Sequence, residues 1–408
     1  MKVTILGFTF TVIGLCLLAQ IPPAQRESNN PVHYFEEAEK AFRARDYQEA
    51  LILYNQSLIL NPLFAEAYYG RGMTKERLDD LNGALVDYTL SLELKPQQYE
   101  PLLARGILRY QLEKWDQAKA DFESLLWLAP GETNTVFFRQ DAYGSGVDRI
   151  FTAQGANKAY VHNYLGLVSN KLGLYEKAIV HFDSAYSQYP EVDYIINKGL
   201  CLQALGRLNE ARSAYELALR LEPANSLAKH NMGLLASSQG NSREAESMIN
   251  DAIENNPNLP YPYAERAHFE FLAGDFKKCI ADYTKAIALN PKDMDYRINR
   301  AIAYEKLQDY ESAFTDYTIV LRTQPKSEKA WFNRGNLLYK LRRYEEAEKD
   351  FSQAILMHSE YAMAYYGRAL ARHYAGKKTE ACEDLRSAST LGFRVEARVA
   401  AKICGSNK

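Results

Sequence analysis

Histidines and cysteines are the residues of this chain best suited to metal or nucleophilic chemistry, and their spacing withholds both. His33, His162, His181, His230, His268, His358 and His373 form no two-histidine zinc spacing with an interleaved acid, and no two cysteines stand two apart. No metal site and no cofactor is therefore expected. No glycine-rich phosphate loop follows a strand pattern. The stretch "YGSGV" places a serine between glycines but lacks the strand-to-helix context of a nucleophile elbow, so it reads as a turn. Carboxylates are scattered along exposed helical faces, with no pair placed for general acid–base work. No catalytic residue is expected, and the chain reads as a non-enzyme.

What does recur is a charge pair. Arg71, Arg105, Arg266, Arg300, Arg334 and Arg368 are each followed sixteen residues later by an aspartate: Asp87, Asp121, Asp282, Asp316, Asp350 and Asp384. The elements that carry them repeat as well. Closing prolines fall at Pro62, Pro96 and Pro130, then at Pro190, Pro223, Pro257, Pro291 and Pro325, spaced 33 or 34 apart. Twelve residues before each stands Ala, or Cys at position 279, and twelve further upstream stands Gly or Ala. Small residues in mid-helix let two helices approach, and proline ends the second helix by removing a donor and clashing with the preceding turn. Ten units of this kind fit between residues 31 and 391. An aromatic residue lies four after the second small position in eight of them, from Tyr54 to Phe351, with Ile249 and Leu385 as the departures. One such hairpin cannot bury its apolar face alone, so neighbours must stack.

The period and these positions resemble the tetratricopeptide repeat family. The resemblance implies an all-α, right-handed α-solenoid of about ten helix-turn-helix repeats, with first helices lining a concave groove. Within each unit the Arg and Asp lie equally far from the turn, so an ion pair inside each of the six repeats is expected, structural in role. Repeats one, four, five and six carry Glu37/Leu53, Leu165/His181, Lys198/Ala214 and Met232/Met248 instead. Family geometry places unit positions 2, 5, 9, 12 and 13 in the groove. The candidate partner-binding residues are then Phe35, Tyr69, Tyr110, His268, Phe271, Phe332, Asn336, Tyr339, Tyr366 and His373. The cochaperone members of the family grip a terminal carboxylate with Lys and Asn at positions 5 and 9; this chain has no lysine at any position 5, so that clamp is not expected.

The remaining segments divide the chain. Residues 1–19 read as a signal peptide, with Lys2 before a 17-residue apolar stretch, and 20–30 as a linker; a retained membrane anchor is the alternative. Repeats one to three span 31–130 and repeats four to ten span 159–391. The insertion 131–158 has β-branched and aromatic runs around Asp141–Gly146, which suits a β-hairpin or a packed loop. Residues 392–408 form a capping helix and tail, and a Cys382–Cys404 disulfide is a candidate there. Cys201 and Cys279 read as core thiols.

Lys+Arg 49 against Asp+Glu 51 gives net charge −2, with no basic run to hold nucleic acid. The expected function is a scaffold that binds a partner protein or peptide in its groove, in the periplasm or outside the cell. Membrane contact is expected only through the N-terminal segment. The alternative is a glycan-binding or enzyme-associated envelope protein with a site between insertion and groove.

Overall fold

The computed structural model describes residues 30–128 and 158–405, together with the backbone of 135–140 and 147–153. The signal and linker segments, and the turn at 141–146, lie outside the described residues. Two compact units divide at Ala218/Leu219. The first holds helix pairs Pro31–Arg43 (α1) with Tyr47–Leu60 (α2), Ala65–Arg77 (α3) with Leu81–Leu94 (α4), and Tyr99–Gln111 (α5) with Trp115–Trp127 (α6). Strands Thr135–Gln140 (β1) and Val147–Ala153 (β2) follow, paired antiparallel with Thr135 opposite Ala153 and an irregularity between Arg139 and Gln140. Then come Ala159–Lys171 (α7) with Tyr175–Gln188 (α8), and Val192–Ala204 (α9) with Leu208–Leu221 (α10), in whose last turn the division falls.

The second unit holds Ser226–Ser238 (α11) with Ser242–Asn255 (α12), Pro260–Ala273 (α13) with Phe276–Leu289 (α14), and Met294–Lys306 (α15) with Tyr310–Thr323 (α16). Glu328–Lys340 (α17) with Tyr344–Met357 (α18), Ala362–Tyr374 (α19) with Lys378–Thr390 (α20), and a closing helix Ala397–Cys404 (α21) complete it. Within the expected capping helix and tail at 392–408, the helix thus begins only at Ala397. Gly392 enters the left-handed region at φ 87° and ends α20, and the Phe393 ring then packs 4.6 Å from Tyr366 before the chain turns helical again.

The same turn closes all ten pairs. The fifteenth residue of each unit is left-handed: Gly173, Gly206, Gly240, Gly274 and Gly376 in five, but Arg45, Asp79, Glu113, Gln308 and Arg342 in the other five, at φ between 57° and 65°. The next amide bonds back into the first helix, as Asp80 N–H does to the Lys75 carbonyl at 2.9 Å, which satisfies an orphan carbonyl. That next residue also caps the second helix. The side chains of Asp46, Asp80, Asn241, Asp275 and Asp309 each accept the amide three residues on.

The recurring aromatic residue is the wedge of the core. Tyr54, Tyr88, Phe122, Phe182, Tyr215, Tyr317 and Phe351 are nearly or wholly shielded from solvent. A Cβ on Gly199 would lie 2.4 Å from the Tyr215 ring, so the small residue is required by the approach of the wedge. Ile249 and Leu385 fill the same place with aliphatic side chains, and both are buried.

Candidate functional site

In six repeats an ion pair joins the first helix to the second. Arg71 donates from Nη2 to Asp87 Oδ1 at 2.7 Å and from Nε to Oδ2 at 2.8 Å. Arg105–Asp121, Arg266–Asp282, Arg300–Asp316, Arg334–Asp350 and Arg368–Asp384 repeat this two-pronged geometry, at 2.6–3.1 Å. All six aspartates are buried. A carboxylate there needs its full set of donors, because an unpaired buried charge is costly. Asp350 shows the tension: burial pushes its carboxyl above the ordinary value, against the pull of Arg334. Extra cations one helical turn on reinforce three of the pairs. They are Lys75 to Asp87 at 2.8 Å, Arg109 to Asp121 at 2.6 Å and Arg372 to Asp384 at 2.8 Å.

The sequence spacing points to bonds inside each repeat only. The structure adds an arm that crosses to the repeat before. Arg71 Nη1 donates to Asn55 at 2.8 Å, Arg266 to Asn250 at 2.9 Å, Arg300 to Thr284 at 2.9 Å, Arg334 to Thr318 at 3.3 Å and Arg368 to Ser352 at 3.1 Å. These five guanidinium groups each tie their own second helix and their predecessor's, whereas Arg105 bonds only its own Asp121 and Thr89 turns to the Leu85 carbonyl. The signal is present in the sequence as Asn, Thr or Ser sixteen residues upstream of each of these arginines.

Repeats without the pair solve the position differently. In repeat one, Glu37 meets Lys40 at the surface at 2.6 Å. Repeat four sets His181 against His162 with Nδ1 atoms 3.2 Å apart. In repeat five Lys198 turns back to Asp183 at 2.7 Å, while Ala214 leaves room. A cavity of about 420 Å³ opens there, walled by Phe182, Tyr186, Tyr194, Ile195, Leu202 and Leu217. Repeat seven keeps its pair but puts Glu270 where other repeats place Lys75, Arg109 or Arg372. Its Oε2 has no hydrogen-bond partner, and burial, then the nearby Asp282 charge, push the carboxyl up to about 7.

The candidate groove aromatics serve the fold from one side. Phe35, Tyr69, Tyr110, Phe271, Phe332, Tyr339, Tyr366 and His373 are half-buried, and His268 and Asn336 are exposed. Four rings at unit position 12 brace a ring across the turn: Phe42–Tyr47 at 5.5 Å, Tyr110–Trp115 at 5.1 Å, Phe271–Phe276 at 5.4 Å and Tyr339–Tyr344 at 5.6 Å. Position 5 rings lean on the wedge, as Phe35 on Tyr54 at 6.0 Å, Tyr69 on Tyr88 at 5.8 Å and Phe332 on Phe351 at 5.9 Å. The densest group stands at the end of the second unit. Tyr344 stacks on Tyr374 at 5.1 Å, Tyr339 meets Tyr374 at 5.9 Å, and Lys402 Nζ sits 5.4 Å from the Tyr374 ring. Cys382 and Cys404 are joined as a disulfide that ties α20 to α21. Cys201 and Cys279 are buried, and burial pushes both thiols up to about 12, which suits inert packing. Among the described residues no group of three or more His, Cys, Asp or Glu is placed to hold a metal ion.

Helix pairs that repeat one turn, one wedge and one ion-pair register define a helical-repeat scaffold. Family models described as tetratricopeptide repeat match residues 35–99, 192–225, 228–259, 270–328 and 328–361, together more than half of the chain. The chain belongs to the tetratricopeptide repeat family. Tetratricopeptide repeat protein 16 of Homo sapiens is 30% identical over 128 residues, 29% of this chain and 15% of that protein. The protein of the same name from Macaca fascicularis matches at the same identity and extent. The chain therefore spans only a small part of the length of these relatives. Among solved structures, yeast Tom70 aligns with a TM-score of 0.43 and 17% identity over 88% of this chain and 85% of that one. The Cut9–Hcn1 hetero-tetramer of APC/C aligns with 0.48 and 14% identity over 92% and 90%.

Proposed function

We propose that this scaffold, outside the cytoplasm, holds an extended segment or helix of a partner protein against the first helices of repeats nine and ten. Tetratricopeptide repeats make the chain a protein–protein interaction scaffold; the place and the compartment are the proposal. The observation that carries the place is the bracing of Phe332, Tyr339 and Tyr366 from behind, by Tyr361, Tyr344 and Phe393 at 4.9, 5.6 and 4.6 Å. Rings ordered before a partner arrives cost less entropy on binding, and aromatic anchors carry much interface energy. Asn336, exposed on the same helix, offers an amide to a backbone. The Cys382–Cys404 pairing supports the compartment, because such bonds persist in oxidising surroundings.

The test is capture of partners from an exported fraction with wild type and with Asn336→Arg, whose exposed position spares the core. Loss of the same partner from this variant and from Phe332→Ala/Tyr366→Ala is expected. Unchanged capture by both would remove the groove from the account. Thiol alkylation of the exported protein checks the compartment: Cys382 and Cys404 should resist labelling until reduced, and two free thiols would sink the export reading. The rival glycan-binding or enzyme-associated reading draws on insertion residues outside those described.

A further inference from the structure

His162 on α7 and His181 on α8 are half-buried, and their Nδ1 atoms lie 3.2 Å apart. Leu165 occupies the place that arginine takes in six other repeats, so no guanidinium competes for either ring. At this separation the two rings share a hydrogen bond, one Nδ1–H donating to the other Nδ1. An ion about 2.0–2.1 Å from both nitrogens would take that proton's place, the donor ring carrying its proton on Nε2 instead, and the nitrogens would subtend roughly 100° at it, close to a tetrahedral bite.

We propose that His162 and His181 together bind a first-row divalent metal ion of the imidazole-seeking kind, Zn2+ or Cu2+, with water completing its coordination. The site is independent of the groove. Imidazole suits both ions, and the general order of divalent affinities places Cu2+ above Zn2+. Two protein donors make an open, exchangeable site rather than the closed four-ligand kind that holds a fold together. The surroundings set its strength. Lys158 faces His162, while Lys119, Lys177 and Glu123 face His181. Burial first, then those cations and the neighbouring imidazole, hold both rings below the ordinary histidine value. A metal requires the neutral ring, which this lowering favours. The lysines also oppose a dication, and Glu123 offsets part of that opposition. Acidification protonates the rings and must release the ion.

The test is calorimetric titration of the full chain, free of affinity-tag histidines, with CuCl2 and with ZnCl2. Wild type, His162→Ala, His181→Ala and the double variant Leu165→Arg/His181→Asp are compared, the last installing the pair that six repeats already use. Circular dichroism establishes that each variant is folded. His358→Ala, an exposed imidazole in the other unit, is the control. Expected is one site in wild type and the control, tighter for Cu2+, weakened about 10-fold or more in the other three variants and lost as pH falls from 7 to 5. Should a variant unfold, the electron paramagnetic resonance of bound Cu2+ on wild type decides, with coupling to two nitrogens expected. Equal binding by wild type and the histidine variants, no binding at all, or coupling to fewer than two nitrogens overturns the proposal.

Discussion

Between α15 and α16, Arg300 grips the buried Asp316 through two bonds and reaches Thr284 of the preceding repeat with a third. Between α9 and α10 the same coordinates of the unit hold Lys198 and Ala214, the lysine turned away to Asp183, and a cavity remains. Both repeats keep the left-handed turn and the tyrosine wedge, so neither depends on the ion pair to close. The pair is an addition to a hairpin that folds by packing. Once present it becomes an obligation, since its carboxylate is buried and cannot be left alone.

The largest expected effect breaks that obligation. Arg300→Ala should cost about 3–5 kcal/mol in chemical denaturation, and Arg300→Ala with Asp316→Leu should recover much of it. If single and double variants unfold at the same denaturant concentration, the pair is not what sets the cost. A smaller effect comes from repeat five, where no charge stands to be orphaned. Ala214→Leu adds three carbons to the cavity and should raise stability by about 1 kcal/mol; a loss would mean that the slot collapses around alanine more tightly than its volume suggests.

The turns sharpen the same contrast between shared and optional features. Gln308→Gly relieves about 1–2 kcal/mol of left-handed strain against about 0.5–1 kcal/mol of added chain freedom and should stabilise slightly, whereas Gly206→Ala should destabilise by about 1 kcal/mol. Opposite signs in thermal melts are required; equal signs would show that side-chain contacts outweigh the backbone.

A further effect is read through pH. Glu270 binds its proton more tightly folded, at about 7, than the 4.5 of an ordinary glutamate. A carboxyl raised in this way contributes stability below the lower value and loses it as pH rises through the higher one. Glu270→Gln should therefore leave the melting temperature nearly unchanged at pH 5 and raise it at pH 8. An equal shift at both would place the effect outside this titration.

The periodic features are legible in the sequence because each is written several times. Ten copies of a small residue twelve before the proline position reveal the hairpin, and the six Arg–Asp spacings are visible because the four exceptions lose both members together. The crossing arm is harder to read, since its acceptor changes among Asn55, Thr284 and Ser352, and only the shared hydrogen-bonding capacity persists. The bracing of Tyr339 by Tyr344 escapes a reading that assigns groove positions one helix at a time, because the brace comes from the second helix. His162 and His181 stand nineteen apart in a unit whose partners elsewhere are sixteen apart, so nothing in the spacing announces that they meet. Left-handed turns at Arg45 or Glu113 are concealed too, as those side chains do not declare the conformation that glycine does.

The crossing arginine has a mechanical consequence. A chain pulled from its C-terminal end must first open the Cys382–Cys404 clasp or leave α20 and α21 together. Through repeats ten to seven each step then tears an arm off the repeat below, so those neighbours resist in turn instead of shedding singly. In the first unit Arg71 alone carries such an arm, to Asn55, so repeats three to five part under tension without one.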